Sequence, residues 1–236
     1  MIKLRIKKPG LETYLREEIL PKYADHDVGH GLAHIERVLN FAYQLSDVLG
    51  KKGVDEDLLT TAVICHDLGV TSNSRAGRAG HNVRSAAMVR ADKGLSRFFT
   101  REEKRAVAMA CYEHRASYRG ERKDLLSKIV ADADTMDSVN FERIILYFEE
   151  RFAGESDESV IEQMWQHYMR KQHPEKGYAR YDLPEAAVMA APRREFLWKM
   201  LVEEGGRERF GVVMKEKMVE MRESGKVADD AKGWGS

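Results

Sequence analysis

Histidine and aspartate are the residues of this chain whose types and spacing suggest chemistry. Of eight histidines, His26, His30 and His34 recur at intervals of four, His66 is followed at once by Asp67, and His81 and His114 stand in separate helical stretches. Adjacent residues on a helix project about 100° apart, so His66 and Asp67 can both lean toward one cation at a helix end. The run before them, Ala62-Val63-Ile64-Cys65, is apolar. A carboxylate at the edge of a buried helix needs a counter-charge, and a divalent cation supplies one. His34 falls at the margin of the apolar stripe of Ile35, Val38, Ala42 and Leu45, so it can point inward. Arg37 lies roughly 60° further round the helix, a placement suited to phosphate. Between Lys128 and Asp137, Asp134 projects on or beside the stripe of Leu126, Ile129, Val130 and Ala133; Asp137 is the second choice, and Asp132 projects away. A single histidine beside an apolar stripe is more often a hydrogen-bonded core residue than a ligand, and a His-Asp pair is commonplace. Jointly, His34, His66, Asp67 and Asp134 form a nitrogen and oxygen donor set from separate helices, which is metal-site chemistry without cysteine. Cys65 and Cys111 read as packing residues.

The elements that must position these donors are helical. Spacing predicts helices over 11–23, 31–50, 55–68, 82–93, 101–116, 121–137, 139–152, 157–171 and 193–222. The polar, glycine-containing stretch 70–80 is expected as a loop, 172–192 as a looser connection, and the tail after Gly225 as frayed. In 236 residues, 39 Lys+Arg balance 39 Asp+Glu, which argues against a dedicated nucleic-acid or membrane surface. No apolar run approaches the ~20 residues of a spanning helix. With two cysteines and no signal-like apolar segment at the start, the expectation is a cytoplasmic globular protein.

Three blocks, His34-Ile35-Glu36-Arg37-Val38, Cys65-His66-Asp67-Leu68-Gly69 and Ala133-Asp134-Thr135-Met136-Asp137, resemble the successive motifs of the HD-domain metal-dependent phosphohydrolase superfamily in order, spacing and helical context. The resemblance covers roughly residues 26–140 and does not reach the C-terminal part. It agrees with the all-α fold expected from the helical spacing, and the two together give a helical HD-type metal-binding domain over 1–152 with a helical C-terminal extension packed on it over 153–236. It also implies a divalent cation (Mn, Fe, Co, Ni, Mg or Zn) held by His34, His66, Asp67 and Asp134, with Asp67 and His66 at the catalytic centre. Binuclear members place two further histidines between the His-Asp pair and the last Asp, and His81 and His114 fit that order. The alternative is that they lie behind the ligands of a single metal or touch substrate. The cyclic-dinucleotide phosphodiesterase branch is disfavoured: Glu113-His114-Arg115 lacks its paired histidines and Ser117-Tyr118-Arg119-Gly120 lacks its Gly-Tyr-Pro.

The reaction so implied is hydrolysis of a phosphate ester or phosphoanhydride, in a nucleotide or related small phosphorylated molecule, by metal-activated water. Arg37, Arg78, Arg84 and Arg115 are candidates to neutralise phosphate, with surface ion pairing as their alternative; His30 is a candidate substrate contact. Two other readings use the same residues: a di-iron oxygenase on six ligands (His34, His66, Asp67, His81, His114, Asp134), and a non-catalytic nucleotide-binding module, which has no need of intact ligands. The C-terminal part is expected to cover the site or to form a homodimer interface.

Overall fold

The computed structural model describes residues 2–24, 26, 29–50, 54–72, 75–171 and 181–224. Among the described residues there are eleven α-helices and no strand. They are α1 (Leu11–Tyr14), α2 (Leu32–Leu49), α3 (Glu56–Cys65), α4 (Arg75–Arg78), α5 (His81–Ala91), α6 (Arg101–Glu113), α7 (Leu125–Asp137), α8 (Phe141–Arg151), α9 (Asp157–Lys171), α10 (Pro184–Val202) and α11 (Gly206–Glu223). The fold is all-α with a helical C-terminal region. No described helix is long and apolar enough to cross a membrane. The tail after Gly225 and most of the connection 172–183 lie outside the described residues.

The chain forms two compact units, one of residues 1–137 with 180–188 and one of 138–179 with 189–236. Helix α8, read from the sequence as part of the first domain, thus lies in the second unit. The first unit is built on α2, which packs against α7 and α3, and on α6, which packs against α5, α7 and α3. Ile35, Val38, Ala42 and Leu45 of the α2 stripe are fully buried, as are Val63 and Ile64 of α3, Val107 and Cys111 of α6, and Ile129 and Val130 of α7. In the second unit α11 packs against α8 and α9. Its buried Phe210, Met214 and Met218 are the counterpart of Met164 and Tyr168 on α9 and Ile145 on α8.

Helix boundaries depart from the periodicity where distant groups decide them. The expected helix 11–23 is instead a short α-turn, a π-turn over Leu15–Ile19 and a 3₁₀ turn over Leu20–Tyr23. The expected helix 193–222 is two helices, because Gly205 adopts a left-handed φ of 70° and starts α11 anew. Helix α10 begins earlier than expected, at Pro184, where the missing N–H costs nothing. Its entry is fixed by Asp132, which accepts from the backbone N–H of Asp182 at 2.9 Å and of Leu183 at 2.8 Å. Asp132 is therefore buried, not projecting away from the core, and burial raises its carboxyl to about 6 against the pull of those two N–H groups.

The N-terminal segment is an extended arm bound to α2 and α3. Arg5 N–H donates to the Tyr43 hydroxyl at 3.0 Å, and the N–H groups of Lys7 and Lys8 donate to Asp57 Oδ1 at 2.7 and 3.3 Å. Asp57 is 2% exposed, so its removal strands two partly buried donors. Asp57→Ala is expected to cost about 1–3 kcal/mol, read as a lowered urea midpoint with an unchanged slope.

Candidate metal centre

The histidines and aspartates of interest sit at helix ends. His34 is in the first turn of α2, His66 and Asp67 in the turn after α3, His81 opens α5, His114 follows α6, and Asp134 and Asp137 close α7. The carboxyl ends of α3, α6 and α7 bring the negative ends of their dipoles to this place, which favours a cation. Gly69 makes the approach of the His66-Asp67 turn to α5 feasible. A Cβ there would lie 2.3 Å from His81 O and 2.6 Å from Ser85 N. Its N–H donates to Ser85 Oγ at 2.8 Å. Gly69 is thus a close-packing glycine, and its φ is not positive.

One device sets three of the imidazoles. His66 Nδ1 donates to Val63 O at 2.7 Å, His81 Nδ1 to Arg78 O at 2.8 Å and His114 Nδ1 to Cys111 O at 2.7 Å, each to the carbonyl three residues back. His34 Nδ1 lies 2.7 Å from the Asp137 carboxylate and donates to it. Since carbonyl and carboxylate oxygens only accept, each ring in its neutral form carries its proton on Nδ1 and presents a lone pair at Nε2.

Those lone pairs converge. His34 Nε2 and His66 Nε2 are 3.2 Å apart, and His81 Nε2 and His114 Nε2 are 3.0 Å apart. Asp67 lies between the pairs. Its Oδ2 is 3.5 Å from His34 Nε2 and 3.3 Å from His66 Nε2, and its Oδ1 is 3.0 Å from His81 Nε2 and 3.4 Å from His114 Nε2. Asp134 Oδ1 joins the first group at 3.4 Å from His34 Nε2. Two acceptors at these separations repel unless a positive charge lies among them, and Asp67 Oδ1 is buried with no hydrogen-bond partner. Donors bound to one cation at about 2.1 Å stand roughly 3–3.5 Å apart, so the donor set fits a metal. The triads His34-His66-Asp134 and His66-Asp67-His114 each keep their donor atoms within 4.8 Å of one another. The structure therefore brings His34, His66, Asp67 and Asp134 together and adds His81 and His114.

The site is buried except on one side. His34 and His66 are 0% exposed and Asp67 2%, whereas the Asp134 side chain is 20% exposed. His30, half-buried, places its ring 6.3 Å from that of His34 and 6.0 Å from that of His81.

Two expected phosphate ligands are otherwise engaged. Arg37 donates from Nε to Asp137 Oδ1 at 2.7 Å and from Nη2 to Oδ2 at 3.2 Å. The fully buried carboxylate between Arg37 and His34 is what draws the guanidinium inward. Arg84 spends its guanidinium on the carbonyls of Gly69, Ala79 and Gly77, bracing the 69–80 connection. Arg115, next to His114, is half-buried and its guanidinium makes no hydrogen bond or ion pair to a described residue. Arg78 is also half-buried, in α4, and its carbonyl receives His81. Sequence reasoning missed Asp137 as the acceptor behind His34; its only signal was its place beside the α7 stripe.

Residues 31–138 match the family model of the HD domain, a span that contains all six converging side chains. This part of the chain is an HD domain. HD domains are generally metal-dependent phosphohydrolases that bind divalent cations, in agreement with a His/Asp cluster able to hold a metal. Neither a curated protein nor a solved structure matches the chain.

Without a cation, a proton takes its place. Burial opposes charge on His66, but the Asp67 carboxylate, reinforced by Asp134 and the Val63 carbonyl, raises the imidazole to about 9. A histidine raised in the folded state stabilises fully below its unfolded value of about 6.5 and loses that contribution up to its folded value. The metal-free protein is therefore expected to lose stability between pH 6.5 and about 9, while saturating cation removes that dependence; thermal melts across this range check it. Asp137→Asn should leave helix content unchanged and weaken cation affinity about 10–100-fold, measured by competition with a chromophoric chelator.

Proposed function

We propose that this protein is a metal-dependent phosphohydrolase acting on a phosphate ester or phosphoanhydride of a nucleotide or related small phosphorylated molecule. The reading is carried by the convergence of four Nε2 lone pairs and Asp134 around the two oxygens of Asp67. His34, His66 and Asp134 would hold one divalent cation, His81 and His114 a second, and Asp67 offers one oxygen to each group. Bound there, such a cation supplies Lewis acidity, lowering the pKa of a coordinated water and offsetting charge on a phosphoryl oxygen.

The chain's own residues perform the remaining tasks. Substrate enters on the Asp134 side, the more open edge of the donor set. Arg115 offers an uncommitted guanidinium beside His114, suited to a bidentate grip on phosphate. Arg78 and His30 are the other polar contacts we assign to the substrate. Were a single cation bound, the Asp67 oxygen left free would orient the attacking water and take its proton as the oxygen–phosphorus bond forms and the bond to the leaving oxygen breaks. Asp137 keeps His34 in its donor-ready tautomer, and Arg37 keeps Asp137 ionised. The two cysteines are buried and unpaired, in keeping with a cytoplasmic setting.

Asp67→Ala is expected to abolish metal-stimulated phosphate release from nucleotides while far-UV circular dichroism stays unchanged; near wild-type turnover would refute the assignment. Elemental analysis should count two cations per chain in the parent protein and one in His81→Ala/His114→Ala. Tightly bound iron together with oxygen consumption, and no phosphate release, would instead establish oxygenase chemistry on the same ligands.

A further inference from the structure

The hairpin of α5 and α6 carries a metal-centre histidine at each of its two free ends, His81 and His114. At its other end lies an open cleft of about 800 Å³, within the size range of small-molecule sites. Arg90 on one wall and Arg105 on the other are each nine residues from those histidines, about 13 Å along a helix axis. The cleft is thus separate from the metal centre.

Its lining has an uneven charge. Arg90, Arg101, Lys104 and Arg105 face one carboxylate, Glu102, in a chain whose charges otherwise balance. The guanidiniums of Arg90, Arg101 and Arg105 make no hydrogen bond or ion pair to a described residue. Arg5, on the same unit, by contrast pairs with Asp47 at 2.6 Å. Gathering like charges around one concavity raises the potential there, and an anion lowers it.

The cleft is also built. Lys104 Nζ donates to Asp92 O and to Ser96 Oγ, both at 2.7 Å. That fixes the ammonium and leaves its third N–H for a ligand. Thr100 and Glu103 close a reciprocal capping box that sets the start of α6. The floor is apolar: Phe99 is 6% exposed and held under Lys8 Nζ at 4.4 Å from its ring centroid, and Met109 lies beside it. Guanidinium forks at the rim match phosphate oxygens, and several cations together favour a multiply charged ligand over a monoanion.

We propose that this cleft is a second ligand site, binding a small polyphosphorylated anion independently of the metal centre. The ligand is a chain of phosphates, free or carried by a nucleoside. The site does not depend on the hydrolase assignment, since none of its side chains belongs to the metal centre.

The test is isothermal titration of the full chain with inorganic triphosphate and with ATP. Asp67→Ala serves as the background, so that neither probe is turned over. Binding should persist in that background, fall with rising salt, and weaken by about tenfold or more in Arg101→Glu/Arg105→Glu, with helix content unchanged. ATP binding more tightly than triphosphate identifies a nucleotide as the ligand; equal affinities identify the bare phosphate chain. Loss of all binding in Asp67→Ala alone would overturn the proposal, as would unaltered binding after the charge reversal.

Discussion

The site rests on where four protons are. Each imidazole of the cluster gives its Nδ1 proton to an oxygen that can only accept, a main-chain carbonyl for His66, His81 and His114 and a carboxylate for His34. With those protons fixed, a neutral ring presents a lone pair on its opposite nitrogen, and the packing of α2, α3, α5, α6 and α7 brings these nitrogens together. Buried acceptors at such distances are costly in an interior of low dielectric. A cation held there would turn mutual repulsion into shared coordination, which the cluster of donors is able to provide. Helix ends, carbonyl acceptors and the neighbouring carboxylates all follow from that requirement.

Arginine is used here in two different ways. Arg37 and Arg84 are structural: one neutralises Asp137 behind His34, and the other gathers three carbonyls and holds the connection that carries Asp67 toward His81. The Arg115 guanidinium, next in sequence to His114, has no hydrogen bond or ion pair to a described residue. The difference is one of partners. A guanidinium that meets a buried carboxylate or a group of unsatisfied carbonyls is consumed by them, because leaving those acceptors bare costs more than solvating the cation.

Much of this was legible in the sequence, for local reasons. Helix α2 follows from a stripe that repeats every three or four residues, and its bounds lie within a residue of the expected 31–50. His34, His66, Asp67 and Asp134 could be picked out because their type and angular place depend on their own helices. What escaped was non-local. Arg37 meets its carboxylate 100 positions away, and Asp132 accepts from the N–H of Asp182, 50 positions on, just ahead of α10. His81 and His114 left two readings open because their shared direction depends on how α5 lies against α6. The end of α3 at Cys65, short of the expected 68, is set by the turn that Gly69 lets settle against Ser85.

His34 and Asp137 stand 103 positions apart, so the first and last contributors to the centre are made far apart in time during synthesis. A chain still emerging from the ribosome has α2, α3 and even α6 before it has α7. Until α7 arrives, His34 lacks its orienting carboxylate and Asp134 is missing. The donor group of His34 and Asp134 is therefore completed last, after the group of Asp67, His81 and His114, whose members all precede α7 in the chain.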